Sequence, residues 1–157
     1  LDQARKKMAL TITNPNMTRY LMSLKDSVDL VQYAFEHANS GEVCIQKAPG
    51  ASISDLAAAV NNITGNDVLT TNIGARHGEK MDEVLLSAEE ATKAVDYGTF
   101  FRIPPDERDL NYNKYFIEGN HSLIKEPYTS RNTNQLTILE IEALIRKNFN
   151  LEDTSGE

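Results

Sequence analysis

The sequence has 157 residues, of which 40% are hydrophobic and 25% are charged, and its formal net charge is −7. This composition is ordinary for a globular protein, and the length suits one domain or part of a larger protein. The excess of acidic residues argues against a nucleic-acid partner, because phosphate binding needs a basic surface. No apolar run approaches the roughly 18 to 20 residues of a membrane span, and no signal peptide opens the chain, so we expect no membrane partner.

The cysteine and histidine content narrows the chemistry further. Cys44 is the only cysteine, so the chain cannot form an internal disulfide. This is typical of a reducing compartment, and we expect a cytoplasmic protein. The histidines His37, His77 and His121 show none of the spacings of a metal site, so no metal is expected.

The beginning of the chain predicts two helices separated by a short strand. Residues 1–7 indicate the last turns of a helix with a basic end, which suits the helix dipole. Because no initiator methionine precedes them, we expect the chain to be part of a longer protein. Residues 10–13 predict a strand that stops at an Asn-Pro-Asn turn. Ser23 predicts the start and Gly41 the end of a helix. Its apolar stripe is formed by Val28, Val31, Ala34 and Phe35.

The following segment predicts a strand–helix–strand unit. Residues 42–47 alternate as a strand does, and Ser52 or Ser54 caps a helix that Gly65 ends. Residues 68–73 predict the second strand. A βαβ unit follows from this order, and such crossovers are nearly always right-handed.

The rest of the chain is less regular. Helices are predicted near residues 80–86 and 88–95, and an irregular, aromatic-rich segment is predicted over 100–120. Residues 126–135 predict a loop. Thr137 opens the last helix through a capping box with Glu140, and this helix has an apolar stripe. The stripe consists of Ile138, Ile141, Leu144 and Ile145.

The loop at residues 74–80 carries the first candidate site. It leaves the carboxyl end of a predicted strand, where α/β proteins bind ligands. Arg76 offers a planar set of donors that suits phosphate, and Glu79 could accept hydrogen bonds from sugar hydroxyls. Gly74 and Gly78 would let a ligand approach the backbone. The alternative is a plain turn with a surface ion pair between Arg76 and Glu79, and the spacing favours neither interpretation.

A second candidate lies in the stretch TITNPNMTRY, residues 11–20. Thr13 ends a predicted strand, and Arg19 could bind the same anion as Arg76. The alternative for Arg19 is a half-exposed side chain that covers the core with its stem. Elsewhere the chain has no GxGxxG loop, no Tyr-x-x-x-Lys pair and no GxSxG turn. Its residues therefore indicate binding groups for an anion and for hydroxyls without catalytic machinery.

Three separated stretches resemble a known family. They are LTITNPNMTRYLMSLKDSVDLVQYAFEHANSGEVCIQKAP, IGARHGEKMDEVLLSAEE and FFRIPPDERDLNYNKYF. In this order they are similar to the C-terminal half of bacterial capsular-polysaccharide enzymes of the extended short-chain dehydrogenase family. Members of that family include UDP-N-acetylglucosamine 4,6-dehydratases and capsule-type UDP-glucose 4-epimerases. The resemblance extends from about Leu10 to about Leu144.

The resemblance implies an α/β fold: the small substrate-binding domain of such an enzyme, with a βαβ unit and several helices. An N-terminal Rossmann half would hold NADP or NAD and supply the catalytic residues, so none is expected in this chain. Residues 1–98 would bind the UDP-sugar, 99–150 would form a capsule-type extension packed on them, and 151–157 would be a frayed tail. The partners implied are the UDP-sugar, the Rossmann half and further copies in a homo-oligomer.

The resemblance also assigns roles to single residues. Thr13 and Arg19 match positions that contact the substrate, Arg76 matches an arginine on the UDP phosphates, and Glu79 matches an acid near the uridine ribose. Arg131, in the stretch YTSRNT, stands where relatives usually have histidine.

The activity implied is that of a UDP-N-acetylglucosamine-type 4,6-dehydratase, with or without inversion at C5, in capsular or surface polysaccharide biosynthesis. The nicotinamide would take a hydride from C4, water would leave across C5 and C6, and the hydride would return to C6. One alternative is a UDP-glucose/UDP-galactose 4-epimerase, which returns the hydride to C4 from the other face. Another is a non-catalytic interaction module. The isolated chain is expected to be inactive, because its contribution is to orient the sugar.

Overall fold

The computed structural model describes residues 1–105, 126–149 and 151. The part of the predicted irregular segment that follows residue 105 lies outside the described residues, as does the predicted tail from residue 152 onward. The predicted domain limits at residues 98 and 150 stay a prediction.

The described chain is of mixed α/β type. In chain order the elements are α1 (Asp2–Arg5), β1 (Leu10–Ile12), β2 (Thr18–Tyr20), α2 (Leu24–His37), β3 (Val43–Gln46), β4 (Gly50–Ser52), α3 (Ile53–Thr64), β5 (Thr70–Asn72), β6 (Val84–Leu86), α4 (Ala88–Ala91), β7 (Val95–Asp96), β8 (Phe100–Ile103), β9 (Tyr128–Thr129) and α5 (Ile138–Phe149). They form two compact units, each built from separated stretches of the chain.

The first unit contains the described residues among 1–23, 48–83 and 130–151. Its strands pair as β1 with β5, which run parallel, and β2 with β4, which run antiparallel. The apolar faces of α3 and α5 pack on each other around Ile141, which is fully buried. A second cluster joins α3 to β1 and α1 through Leu10, Ala57 and Ala4. The first unit therefore has its own core.

The helix ends of this unit follow local sequence signals. The Ser52 hydroxyl accepts a hydrogen bond from the Asp55 amide at 3.0 Å, and Gly65 ends α3 in the left-handed region at φ 61°. At α5 the Thr137 amide donates to the Glu140 carboxylate at 2.8 Å, and the Glu140 amide donates to the Thr137 hydroxyl. These two bonds form the predicted capping box. The predicted caps of α3 and α5 and the predicted glycine stop of α3 are confirmed.

Replacing the cap of α3 should cost a defined amount of stability. Ser52→Ala leaves the Asp55 amide without its acceptor, so we expect the free energy of unfolding to fall by about 1 kcal/mol. Ser54→Ala is the matched control, because this exposed serine contacts the Ser52 hydroxyl at 2.8 Å and, within the described residues, bonds no helix amide, and its effect should stay within about 0.5 kcal/mol. Urea unfolding of both variants measures the difference, and equal losses would contradict the assignment of Ser52 as the cap.

The second unit contains the described residues among 24–47, 84–105 and 126–129. Its three-stranded sheet has the antiparallel order β3-β8-β7, and β6 pairs with β9. Ile45 and Phe101 from the sheet pack with Leu86, with Ala91 at the end of α4 and with Ala94, which follows the helix. The helix α2 has no fully buried residue, and its apolar stripe is largely exposed, with Phe35 at 87%.

Three details of the predicted order are wrong. The strand at 42–47 is not the parallel partner of the strand at 68–73, because β3 pairs antiparallel with β8, and the parallel partner of β5 is β1. The predicted helix near 80–86 is replaced by an irregular turn and the strand β6, and the helix predicted over 88–95 is reduced to α4. The start of the predicted irregular segment, residues 100–103, is the central strand β8.

Candidate functional site

The candidate site lies at the carboxyl edge of the parallel pair β1–β5 in the first unit. Thr13 follows the last residue of β1, and the loop of residues 73–83 follows β5. The Ile73 amide donates to the Ile12 carbonyl at 2.8 Å, which holds the start of the loop beside the end of β1. Gly74 and Gly78 have φ values of 82° and 81°, which favour glycine. The parallel pairing thus brings two of the predicted segments together.

Glu79 is the centre of this site. Its Oε1 accepts a hydrogen bond from the Thr13 hydroxyl at 3.1 Å and lies 3.4 Å from Arg19 Nη2. Its Oε2 accepts a bond from the Arg76 backbone amide at 3.1 Å, and the Glu79 amide donates back to the Arg76 carbonyl at 3.0 Å. The backbone of residues 76–79 is therefore folded into a tight turn around the carboxylate.

The pKa of the Glu79 carboxyl is held below its usual range. The main cause is the hydrogen bond from the Arg76 amide, followed by the Thr13 hydroxyl and by the charges of Arg19 and Arg76. Glu79 is a carboxylate at neutral pH, and the lowered pKa keeps it ionised further into the acid range.

Arg19 lies within strand β2, on the edge of the same loop. Its Nη1 donates to the Thr18 carbonyl at 2.7 Å and to the Met81 carbonyl at 3.3 Å, and its Nε lies 3.6 Å from the Glu83 carboxylate. The side chain is 24% exposed. It therefore holds the loop and still presents part of its guanidinium to solvent.

Arg76 stands apart from the other three. It is exposed, and within the part of the chain that the structure describes its guanidinium forms no ion pair. The ion pair between Arg76 and Glu79, which was the alternative interpretation of the loop, is not formed, since Glu79 pairs with Arg19 instead. The structure brings Thr13, Arg19 and Glu79 into contact and leaves the Arg76 side chain free at the loop tip.

Four further polar residues escaped the sequence analysis as a group. Arg131 Nε donates to Asp82 Oδ2 at 2.8 Å, and the Thr18 hydroxyl donates to Asp82 Oδ1 at 2.7 Å. The fully buried Ser130 hydroxyl lies 2.6 Å from the Thr18 hydroxyl and accepts a bond from the Glu83 amide at 2.9 Å. Of these residues, the sequence analysis singled out only Arg131. Because 49 residues separate Arg131 from Asp82, no local sequence pattern indicates that they pair.

The Asp82 carboxyl should make stability depend on pH. The hydrogen bond from Arg131 lowers its pKa most, and the Thr18 hydroxyl and the charges of Arg131 and Arg19 add to this. A lowered folded-state pKa gives stabilisation that is complete above the unfolded value of about 3.9 and is lost as pH falls through the folded value. We expect Asp82→Asn to be less stable than the parent chain at pH 7, and the difference to vanish in acid. Urea unfolding across a pH series measures this, and a difference that persists at the lowest pH would contradict it.

The described ranges contain neither a cluster of metal ligands nor a helix that could span a membrane. Among residues 1–105, 126–149 and 151, no group of three or more histidine, cysteine, aspartate or glutamate side chains is arranged to hold a metal ion. None of the helices described there has the length and apolarity to cross a bilayer.

Comparison with known proteins defines the class to which this α/β unit and its loop belong. Residues 1–105 match the model of a family described as "Polysaccharide biosynthesis protein", and residues 106–148 match one described as "Polysaccharide biosynthesis protein C-terminal". The chain belongs to this polysaccharide biosynthesis family.

Individual relatives make the class more specific. The chain is 49% identical over 146 residues to a protein of Rickettsia akari named UDP-glucose 4-epimerase, and 50% identical over 147 residues to one of Rickettsia typhi with the same name. Each match takes in 92% of this chain but only 43% of the relative, so the chain spans less than half the length of these curated relatives. A crystal structure of Pen from Bacillus thuringiensis superimposes with a TM-score of 0.77 at 26% identity, over 96% of this chain and 44% of that one.

Proposed function

We propose that this chain is the nucleotide-sugar-binding part of a UDP-sugar 4,6-dehydratase that takes part in polysaccharide biosynthesis. The observation that carries the proposal is the pairing of a carboxylate with Arg19 at one strand edge, next to a loop tip that presents a second arginine. Glu79 is fixed by Thr13 and Arg19 beside the loop tip that presents Arg76. The family and the names of the relatives support a nucleotide sugar as the ligand.

Each group has a chemical role in the proposed complex. Arg76 binds a phosphate of UDP through its free guanidinium, because a planar set of N–H donors matches phosphate oxygens. Arg19 contributes the second positive charge. Glu79, held as an anion, accepts hydrogen bonds from the ribose hydroxyls, and Thr13 keeps its carboxylate in place. The sugar ring is thereby oriented towards the reacting groups of the parent enzyme.

The nicotinamide cofactor implied by the resemblance does not fit this chain. Its 157 residues contain no GxGxxG loop after a strand, and the described strand ends carry the charged loop of residues 73–83 instead. NADP or NAD would therefore be held by a Rossmann half outside this chain. That half and further copies in a homo-oligomer are the proposed protein partners, and the cytoplasm is the proposed location.

A 4-epimerase is the second candidate for the parent enzyme, because the Rickettsia relatives are named UDP-glucose 4-epimerase. Dehydration removes the hydrogen on C5 and replaces it from solvent, whereas epimerisation at C4 leaves C5 untouched. The longer protein that carries this chain should be incubated in D₂O with UDP-N-acetylglucosamine and, separately, with UDP-glucose. A 4-keto-6-deoxy product with deuterium at C5 supports the assignment as a dehydratase. A C4 epimer with protium at C5 contradicts that assignment and supports an epimerase.

Binding by the chain itself is tested by calorimetric titration with UDP. A saturable heat with UDP and a much weaker one with uridine are expected, because the phosphates supply the contacts to arginine. The absence of any response to UDP would favour the non-catalytic interaction module. Formation of a 4-keto sugar by the 157-residue chain alone would contradict the proposal that the cofactor and the catalytic residues lie outside this chain.

A further inference from the structure

The charged pair Arg131–Asp82 joins the turn at residue 131 to the end of the candidate binding loop. Arg131 Nε donates a hydrogen bond to Asp82 Oδ2 at 2.8 Å, and Arg131 Nη2 donates one to the Asn16 carbonyl at 2.9 Å. The other oxygen of Asp82 accepts the Thr18 hydroxyl at 2.7 Å. Both carboxylate oxygens of Asp82 are thus occupied by donors that are no part of the proposed nucleotide contacts.

Asp82 is one of three acidic residues around Arg19. Glu79 lies 3.4 Å and Glu83 lies 3.6 Å from its guanidinium, and the Arg19 charge also contributes to the low pKa of Asp82. Three carboxylates around a single arginine would leave the site with an excess of negative charge, which repels a diphosphate. Arg131 supplies the cation that compensates Asp82.

The same pair is linked to Arg19 through the backbone of β2. Thr18 donates its hydroxyl to Asp82, and its carbonyl accepts Arg19 Nη1 at 2.7 Å. The Met81 carbonyl, next to Asp82 in the chain, accepts both the Thr18 amide at 3.0 Å and Arg19 Nη1 at 3.3 Å. A change in the charge or position of Asp82 therefore reaches Arg19 through two contacts.

We propose that Arg131 is a positioning residue that neutralises Asp82 and so keeps Arg19 available for the phosphate of the ligand. The inference rests on the proposed function, because it assigns how the negative charge around the same anion site is reduced. Arg131 acts through Asp82 and does not touch the nucleotide.

A double variant separates this role from simple loop fixation. Arg131→Gln removes the compensating charge, and we expect UDP affinity to fall about fivefold at low salt. The further change Asp82→Asn removes the uncompensated carboxylate, so the double variant should regain most of the lost affinity. High salt should narrow the gap between the single variant and the parent chain, because it screens charge. Asp29→Asn, which removes the exposed ion pair of α2 with Lys25, is the matched control and should leave UDP affinity unchanged.

The readouts distinguish this inference from the proposed function. UDP affinity is measured by calorimetry, and the Arg19 Nε–H signal is followed by NMR without ligand, where Arg131→Gln should shift it and the double variant should return it. If the parent chain binds UDP and the double variant is as weak as Arg131→Gln, the inference is wrong and the proposed function stands. If the parent chain does not bind UDP, the proposed function is wrong. If the chemical shift of the Arg19 Nε–H signal does not change in Arg131→Gln, the inference is wrong as well.

Discussion

Arg76→Ala should lower the affinity of the chain for UDP by about tenfold or more while leaving its stability unchanged. A charge-assisted hydrogen bond contributes roughly 1.5–3 kcal/mol, and Arg76 has its guanidinium free at the loop tip. Because this side chain is exposed and forms no ion pair with the described residues, the folded state loses only the weak attraction between its charge and Glu79. Calorimetric titration with UDP gives the affinity, and urea unfolding gives the stability.

Arg19→Ala should weaken UDP binding by a similar factor but should also destabilise the chain, because Arg19 ties β2 to the Met81 carbonyl and to Glu79. Arg5→Ala is the matched control, since Arg5 is an exposed arginine of α1. It should change neither quantity. Equal loss of affinity in Arg5→Ala and Arg76→Ala would show that UDP responds to overall charge and not to the loop.

Gly50→Ala should destabilise the first unit by about 3 kcal/mol or more, because there is no room for a methyl group at this position. A Cβ on Gly50 would lie 2.3 Å from the Ser130 carbonyl oxygen, a backbone atom that cannot turn away, and 2.9 Å from the Thr133 side chain. The Gly50 amide and carbonyl are also bonded to the Asn134 carbonyl at 2.9 Å and the Leu136 amide at 2.8 Å. Thermal or urea unfolding measures the loss.

Gly78→Ala provides the contrast for this prediction. A Cβ on Gly78 meets nothing within 4 Å, but its φ of 81° strains any other residue, at a cost of roughly 1–2 kcal/mol. We therefore expect Gly50→Ala to be clearly the more destabilising of the two. Comparable stability of the two variants would mean that the turn of residues 130–136 does not pack on β4 as described.

The elements that the sequence predicted well have local causes. Ser52 caps α3 and Thr137 caps α5 through side chains three residues from their partners, and Gly65 supplies the left-handed stop. Such signals lie within one turn of a helix, so they are visible without knowledge of the rest of the chain. The family was likewise predictable, because its motifs are contiguous stretches of the sequence.

The elements that were predicted wrongly from the sequence depend on partners that are distant along the chain. Residues 84–86 form a strand because they pair with residues 128–129. Residues 100–103 form a strand because they pair with β3 on one side and β7 on the other. The apolar residues before Ser87 fit a helix and a strand equally well, and only the pairing decides between them. The parallel partner of β5 was misassigned for the same reason.

The candidate site shows the same division. Thr13, Arg19, Arg76 and Glu79 could be chosen from the sequence, because each lies at a predicted strand end or in a glycine-bounded loop. No local signal indicates that Glu79 pairs with Arg19 and not with its near neighbour Arg76, because Arg19 lies in β2, 60 residues before Glu79. Asp82 and Arg131 are further apart still, and no spacing rule connects them.

The central claim is that this chain binds the UDP moiety at the loop of residues 73–83, and an NMR titration of the ¹⁵N-labelled chain with UDP tests it most directly. We predict saturable shifts for the amides of Thr13, Arg19 and residues 74–79, together with the side-chain Nε–H signal of Arg76. The rest of the first unit should shift little. An unchanged spectrum at about 10 mM UDP, or shifts confined to residues away from this loop, would contradict the account.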